Sequence, residues 1–371
     1  MEKSKDKLIK RIEYFFKDVL ERFIFKDIHS VLIEKKIERF AFFDDSKILL
    51  IRNDRIGDLL VSTPLLKTLR KKYPNVVIDI LLSDKNIAAR RSSDNFVNNT
   101  YIYIKKLSKM IPLILSLRKR KYDLVIDLLD NPSTTNAFII KFIKPLYSLG
   151  FRKAKTNKYN LEVILPPKLK VHIVDRINQL LLPFDIESNK INENIEFLLA
   201  EQEVNEANSL LGHKNTKYRI GINLAGSNTA KFWGIDNYIS FIKYLDTTYK
   251  SFEIVLFHTN QYKQVVAKIL NVIPSLNAPI TENFNVYAAM IAECDILLSP
   301  DTAAVHLAAA FQVPCIALYQ FSGTKETGMP WTPYHSPAKV IKTGTNSLSN
   351  IHLDAVIECF EEAVIEYKLY E

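Results

Sequence analysis

Lys47-Ile48-Leu49-Leu50-Ile51-Arg52-Asn53-Asp54-Arg55-Ile56-Gly57-Asp58-Leu59-Leu60 is the stretch that decides the fold. Four consecutive aliphatic residues between polar ends make a strand covered on both faces, because a half-exposed strand alternates apolar with polar. Polar turn residues follow, and then a helix-like stretch from Asp58 to Lys72 that stops before Pro74. Val76 to Leu82 and Tyr122 to Asp127 repeat the strand pattern, with helical segments between. Strands that alternate with helices predict a parallel sheet with both faces covered, so the class is α/β. The pattern weakens between Pro183 and Ala200 and restarts at Tyr218 to Asn223, followed by strands at Phe252 to Phe257, Ile296 to Ser299 and Pro314 to Leu318. A chain of 371 residues suits two such units. The expected division is an extension over 1–45, a first Rossmann-like domain over 46–190, a second over 191–349, and a helix over 350–371 that returns to brace the first domain.

The 47% hydrophobic and 25% charged composition is that of a soluble globular chain. The N-terminus has no secretory pattern, and the apolar run from Met110 to Leu117 is too short to span a bilayer, so a cytoplasmic location is expected. Cys294, Cys315 and Cys359 are scattered without metal or redox spacing. A net charge of +9 suits an anionic partner. Nucleic acid is excluded as that partner, because the basic residues are dispersed among acids and no recognition motif is present. Two stretches point to a membrane surface instead. Residues 5 to 27 space apolar groups helically among lysines and arginines, and Lys105 to Lys121 sets aliphatic residues between basic clusters. Both apolar faces would equally suit packing on the protein itself.

Glycine is scarce, with nine in the chain where an average composition gives roughly 25, so each remaining one marks a tight turn or a close approach. Three segments carry the candidate chemistry. In the first, Arg52 to Pro64, Asp58 follows Gly57 where a strand feeds a helix at the carboxyl edge of a parallel sheet, the place where such sheets bind ligands. It fits a catalytic base or a helix-starting carboxylate, and the helix terminus would favour its anion. In the second, Asn223-Leu224-Ala225-Gly226-Ser227-Asn228-Thr229-Ala230-Lys231-Phe232-Trp233, backbone amides, hydroxyls and one lysine suit a diphosphate, although the spacing is not that of a Walker loop. The alternative is a solvated loop. In the third, Ser299-Pro300-Asp301-Thr302-Ala303-Ala304-Val305-His306, a helix opens with free amides, and Thr302 and His306 share a face. His306 by itself fits a core histidine equally well.

In this order the three segments resemble glycosyltransferase family 9, the lipopolysaccharide heptosyltransferases. The resemblance runs from about Ser46 to the C-terminus, strongest at Ile56-Gly57-Asp58, at Gly226-Ser227-Asn228 with Lys231 and Trp233, and at Pro300-Asp301-Thr302 with His306. It implies a GT-B fold of two Rossmann-like domains facing a central cleft, with the amphipathic N-terminal helix as an addition. It further implies inverting transfer of heptose from ADP-heptose, a substrate and not a cofactor, to a phosphorylated lipid-linked glycan of lipopolysaccharide biosynthesis. By matching positions, Asp58 is the base, while Gly226, Ser227, Asn228, Lys231, Asp301, Thr302, Ala303 and His306 line the donor site. Arg55, Gly57 and Thr63 lie on the acceptor side. Lys231 and helix-terminal amides would replace a metal ion, so no obligatory metal and no cofactor are expected. The work would be done at the cytoplasmic face of the inner membrane. Ala303 stands where the family commonly has glycine, and Gly234 where proline usually follows the tryptophan. A non-catalytic nucleotide-sugar binding protein and a sugar-nucleotide epimerase or hydrolase of similar architecture fit the same residues; activity of Asp58 and dependence on a glycan acceptor separate them.

Overall fold

A computed structural model describes residues 28–34, 45–131, 133–152, 158–167, 170–214, 216–226, 228–320 and 331–370. The expected helix over residues 5 to 27 lies outside these, as does Ser227. The first domain contains β1 (Val31–Ile33), β2 (Lys47–Ile51), α1 (Ile56–Leu60), α2 (Thr63–Lys72), β3 (Val77–Ser83), β4 (Asn99–Tyr103), α3 (Leu107–Lys119), β5 (Leu124–Asp127), α4 (Thr134–Ile143), β6 (Tyr147–Phe151), β7 (Leu161–Val163) and α5 (Ile173–Asn178). Its strands are all parallel and lie in the order β1-β7-β6-β5-β2-β3-β4. Apart from β1 this is a doubly wound sheet that reverses direction between β2 and β5.

The second domain holds α6 (Glu201–Leu211), β8 (Tyr218–Asn223), α7 (Ile235–Thr248), β9 (Phe252–Phe257), α8 (Lys263–Val272), α9 (Phe284–Ala292), β10 (Ile296–Pro300), α10 (Ala303–Phe311), β11 (Cys315–Tyr319), β12 (Ala338–Lys342) and α11 (Leu353–Glu366). Its parallel sheet runs β12-β11-β10-β8-β9, and the order reverses between β8 and β10. Ile48 to Ile51 are wholly buried, as are Leu297, Leu298, Ile316 and Leu318, which is why these strands read as unbroken apolar runs. No helix among the described residues is long and apolar enough to cross a membrane.

Three expectations change. The helical stretch from Asp58 to Lys72 is two helices, because Pro64 cannot donate a backbone hydrogen bond and instead opens the second one. The extension over 1–45 is not helical throughout: Val31–Ile33 adds an edge strand beside β7, with Val31 opposite Leu161. The C-terminal helix does not brace the first domain. It lies on the second, where Phe360 meets Phe241, Tyr249 and Phe252 edge-on with ring centroids 5.2 to 5.8 Å apart. Val356, Ala363 and Val364 join the same core.

Residues 191–200, the expected linker, carry no helix or strand but are not loose. Ile191, Ile195 and Phe197 are buried, and Phe197 stands edge-on to Phe284 at 5.9 Å and to Phe311 at 6.2 Å. Ion pairs tie both sides: Lys67 to Glu196 at 3.0 Å along the linker, and Arg91 to Glu203 at 2.8 Å between the domains. A second strap joins Tyr334 to Asp175 at 2.7 Å, beside His172, whose Nε2 lies 2.9 Å from the Thr332 carbonyl oxygen.

Phe360→Ala should cost about 3–5 kcal/mol, the usual figure for emptying a packed aromatic site. Urea titration should register the loss at the second-domain tryptophan Trp233, which neighbours Phe241 in the same core.

Candidate functional site

Asp58 is the third residue of α1 and reaches back to cap it, its Oδ2 accepting from the Arg55 amide at 3.2 Å. Its other oxygen faces Arg52 Nη2 at 3.5 Å. Arg52 is completely buried. Its Nε donates to the Asp58 carbonyl at 2.8 Å, Nη1 donates to the Leu128 carbonyl at 2.7 Å, and Nη1 lies 3.4 Å from Asp54 Oδ2. One guanidinium therefore holds two carboxylates, and it spaces them in the loop at the point where the first sheet reverses order. The Asp58 side chain keeps 14% of its surface exposed, so the base candidate is held from behind and still open.

A third acid, Asp127, ends β5 beside this loop. It is buried and accepts from Tyr159 at 2.6 Å, Asn136 at 2.9 Å and the Leu129 amide at 3.2 Å, while Asn136 accepts from Asn53 at 2.8 Å. Burial raises the Asp127 pKa against those hydrogen bonds. Burial likewise raises Asp54 to about 6; Arg52 opposes the shift, and the neighbouring Asp58 adds to it. Sequence reading singled out neither Asp54 nor Asp127. The signal available for Asp54 was its place four residues before Asp58, on the same turn.

Gly57 meets the other domain. A Cβ there would sit 3.3 Å from His306 Cδ2, a tight contact, so α1 and α10 approach closely at this point. The scarcity of glycine does mark a close approach here, but to a histidine across the domain boundary. His306 is buried, and its Nδ1 has no hydrogen-bond partner among the described residues. Burial lowers its pKa to about 4; Asp301 opposes the shift, while His172 and Lys231 add to it. The imidazole is therefore neutral at pH 7.

The second-domain residues gather where that sheet reverses. Asn223, at the end of β8, donates to Ser299 Oγ at 2.9 Å at the end of β10 and to Thr302 Oγ1 at 3.2 Å. Thr302 caps α10 by accepting from the Ala304 amide at 3.3 Å. Lys231 Nζ lies 2.6 Å from Asp301 Oδ2 and 2.8 Å from the Asp301 carbonyl, which joins the second and third segments. Asn228 Oδ1 accepts from the Lys231 amide at 3.1 Å and closes one turn over Thr229–Lys231. At Gly226 a Cβ would lie 2.8 Å from both Cβ and O of Lys231, so the folded-back loop needs glycine there. Ala303 is the first residue of α10.

Not every quoted residue belongs to this gathering. Thr63 is fully buried; its hydroxyl donates to the Leu60 carbonyl at 2.9 Å and accepts from the Glu196 amide at 2.9 Å. It ties α2 to the linker and is not open to an acceptor. Trp233 is buried and donates to the Ile351 carbonyl at 3.0 Å, anchoring the loop from below. Gly234 has φ +113°, which proline cannot adopt, so the local backbone departs from one with proline there. Arg55 is exposed at the start of α1.

The model of glycosyltransferase family 9 (heptosyltransferase) matches residues 110–358 of this chain. Lipopolysaccharide heptosyltransferase 3 of Escherichia coli strain K12 is 26% identical over 298 residues, covering 74% of this chain and 83% of the relative. Among solved structures, the glycosyl transferase family 9 protein of Veillonella parvula DSM 2008 superposes with a TM-score of 0.71 at 19% identity, covering 88% of this chain and 99% of that one. An E. coli heptosyltransferase solved with ADP-2-deoxy-2-fluoro heptose gives 0.67 at 17% identity, covering 85% and 99%. At these identities the superpositions speak for the fold, which is the GT-B arrangement of two parallel sheets.

Two buried groups titrate in opposite senses. His306 binds its proton less readily folded than unfolded, so the stability it contributes is full above about pH 6.5 and falls as pH drops toward about 4, by about 3 kcal/mol in all. Asp54 has a raised pKa, so its contribution declines as pH rises from 3.8 to about 6. Denaturation curves between pH 4 and 7 should show His306→Gln less acid-sensitive than wild type and Asp54→Asn more so. Two variants that track wild type would refute both assignments.

Proposed function

The chain belongs to glycosyltransferase family 9 and is a glycosyltransferase, and from that premise we propose that it transfers heptose from ADP-heptose to a lipopolysaccharide core or a related phosphorylated, lipid-linked glycan. The observation that carries this reading is the contact of Gly57 with His306. It sets the loop bearing Asp58 against the helix that opens with Asp301 and Thr302, and Asp301 in turn holds Lys231. A carboxylate on one side and a cation with helix-terminal amides on the other are the two halves of a displacement at an anomeric carbon. The adenine and the heptose are supported by the relative solved with an ADP-heptose analogue. The acceptor is supported by the name of the curated relative.

The chemistry follows from those side chains. The acceptor hydroxyl attacks the anomeric carbon from the face opposite the diphosphate, so configuration inverts. As its oxygen bonds to carbon the hydroxyl proton becomes acidic, and Asp58 takes it; help of this kind is typically worth about 10²- to 10⁴-fold in rate. The bond to the diphosphate breaks with its electron pair on oxygen. An ammonium has three donors, and the Lys231 ammonium spends two on Asp301, which leaves one for a phosphate oxygen. The amides at the start of α10 add partial positive charge. Those groups supply the stabilisation that a metal would otherwise give, and transfer is expected to persist in EDTA. Neutral His306 contributes no charge and lets the domains close. Arg55 is free to meet an anionic acceptor.

Asp58→Ala should lower kcat by about 10²- to 10⁴-fold with little change in donor affinity. Lys231→Ala should weaken donor binding roughly 10- to 100-fold, the loss of one charge-assisted hydrogen bond. Undiminished transfer by the first variant would remove Asp58 from the mechanism. Calorimetric titration with ADP-, UDP-, GDP- and CMP-sugars should show heat for the ADP-sugar first; preference for another base would overturn the donor assignment and leave the reaction class standing.

A further inference from the structure

Helix α3 is apolar on two faces. Met110, Leu113, Ile114 and Leu117 turn inward onto the first sheet, where they join Leu49, Ile51 and Val125. Leu107, Ile111 and Leu115, spaced by four, form a second stripe, with 68%, 54% and 52% of their surfaces exposed. Phe142 of α4, 54% exposed, lines the groove beside that stripe. Between α3 and α4 runs a groove of about 660 Å³, lined by Ile111, Leu115, Phe138 and Phe142 among others, with Lys105 and Lys106 at its rim. A connected apolar surface of this kind marks an interaction site.

Charge says which partner covers it. Residues 104–122 contain seven lysines and arginines and no acid, and α4 with the turn after it adds Lys141 and Lys144, again without an acid. Lys105, Lys106 and Lys109 are exposed at one end of the apolar stripe, and Arg118, Lys119 and Lys121 at the other. A protein partner is matched by mixed charge at its rim, whereas a predominantly basic border around aliphatic residues matches anionic headgroups above acyl chains. We propose that the face formed by α3 and α4 docks on an anionic lipid surface, with Leu107, Ile111, Leu115 and Phe142 entering the acyl boundary. The topology agrees. α3 starts just beyond the carboxyl end of β4 and α4 beyond that of β5, the same sheet edge that bears the Asp58 loop. Docking there brings the acceptor half of the site to the membrane, which deepens the proposed reading of a lipid-linked acceptor and rests on it for its purpose.

The test is sedimentation of the full chain with vesicles, which needs neither donor nor turnover, so it fails separately from the transfer reaction. Wild type should bind phosphatidylglycerol-containing vesicles at least roughly tenfold more tightly than pure phosphatidylcholine vesicles, and added salt should weaken it. The double variant Ile111→Glu/Leu115→Glu changes only exposed positions and should lose the binding with an unchanged melting temperature and ADP-sugar affinity. Lys105→Gln/Lys106→Gln/Lys109→Gln should lose the preference for anionic lipid even if the first variant folds poorly. Equal binding to both vesicle types, retention of binding by both variants, or a wild-type dimer in sedimentation velocity that the first variant abolishes would each overturn the proposal; the last would assign the face to a second copy of the chain.

Discussion

A guanidinium with no exposed surface must find its counter-charges inside the protein, and Arg52 organises the first half of the site by that necessity. The ends of its fork reach the Leu128 carbonyl, the Asp58 carbonyl and the carboxylates of Asp54 and Asp58. Losing any one of these would leave a buried charge short of partners, so the turn from β2 to α1 has one conformation open to it. Asp58 is thereby presented at the sheet's reversal point with one oxygen committed to the Arg55 amide and the other beside a cation.

The second constraint is steric and joins the domains. Two doubly wound sheets each have a crevice at their reversal point, and alone each would be half a site. Contact between Gly57 and His306 makes them one. That contact leaves little space at position 57, and burial keeps the imidazole uncharged where the domains meet. Around it, Phe197 in the linker and the strap from Tyr334 to Asp175 hold the domains in this relation. In the second domain the Lys231 cation is not loose. Asp301 holds Lys231 in position, and Asn223 spans β8 and β10 to orient Thr302. A diphosphate would meet a lysine already aimed, which reduces the ordering cost of binding.

The strands at the middle of both sheets were legible from local pattern, because strands buried on two faces announce themselves as aliphatic runs such as Ile48 to Ile51 and Ile296 to Leu298, whereas β6 and β7, interior but short and interrupted by Ser148, Gly150 and Glu162, were not. Of the edge strands only β9 was legible. Asn99–Tyr103 and Ala338–Lys342 carry polar residues on their open sides, and Val31–Ile33 is too short to have a period, so nothing local separates them from loop. The break between α1 and α2 was written in Pro64, a rule of backbone chemistry that the longer apolar spacing obscured.

The sequence by itself determined the local form of three candidate segments: a glycine and carboxylate after one strand, a small-residue loop with a lysine after another, and a capped helix start after a third. Each is a local matter of which backbone turns and which donors a few adjacent residues permit. Only the tertiary structure decided how they act together, because burial, ion pairing and contact depend on residues far apart in the chain. It placed Asp54 and Asp127 beside Asp58, set His306 under Gly57, and turned Thr63 and Trp233 inward to anchor loops. It also sent α11 to the second domain, where aromatic rings awaited it, and left the outer stripe of α3 uncovered. Spacing along a helix says which residues share a face; what lies against that face is known only once the chain has folded.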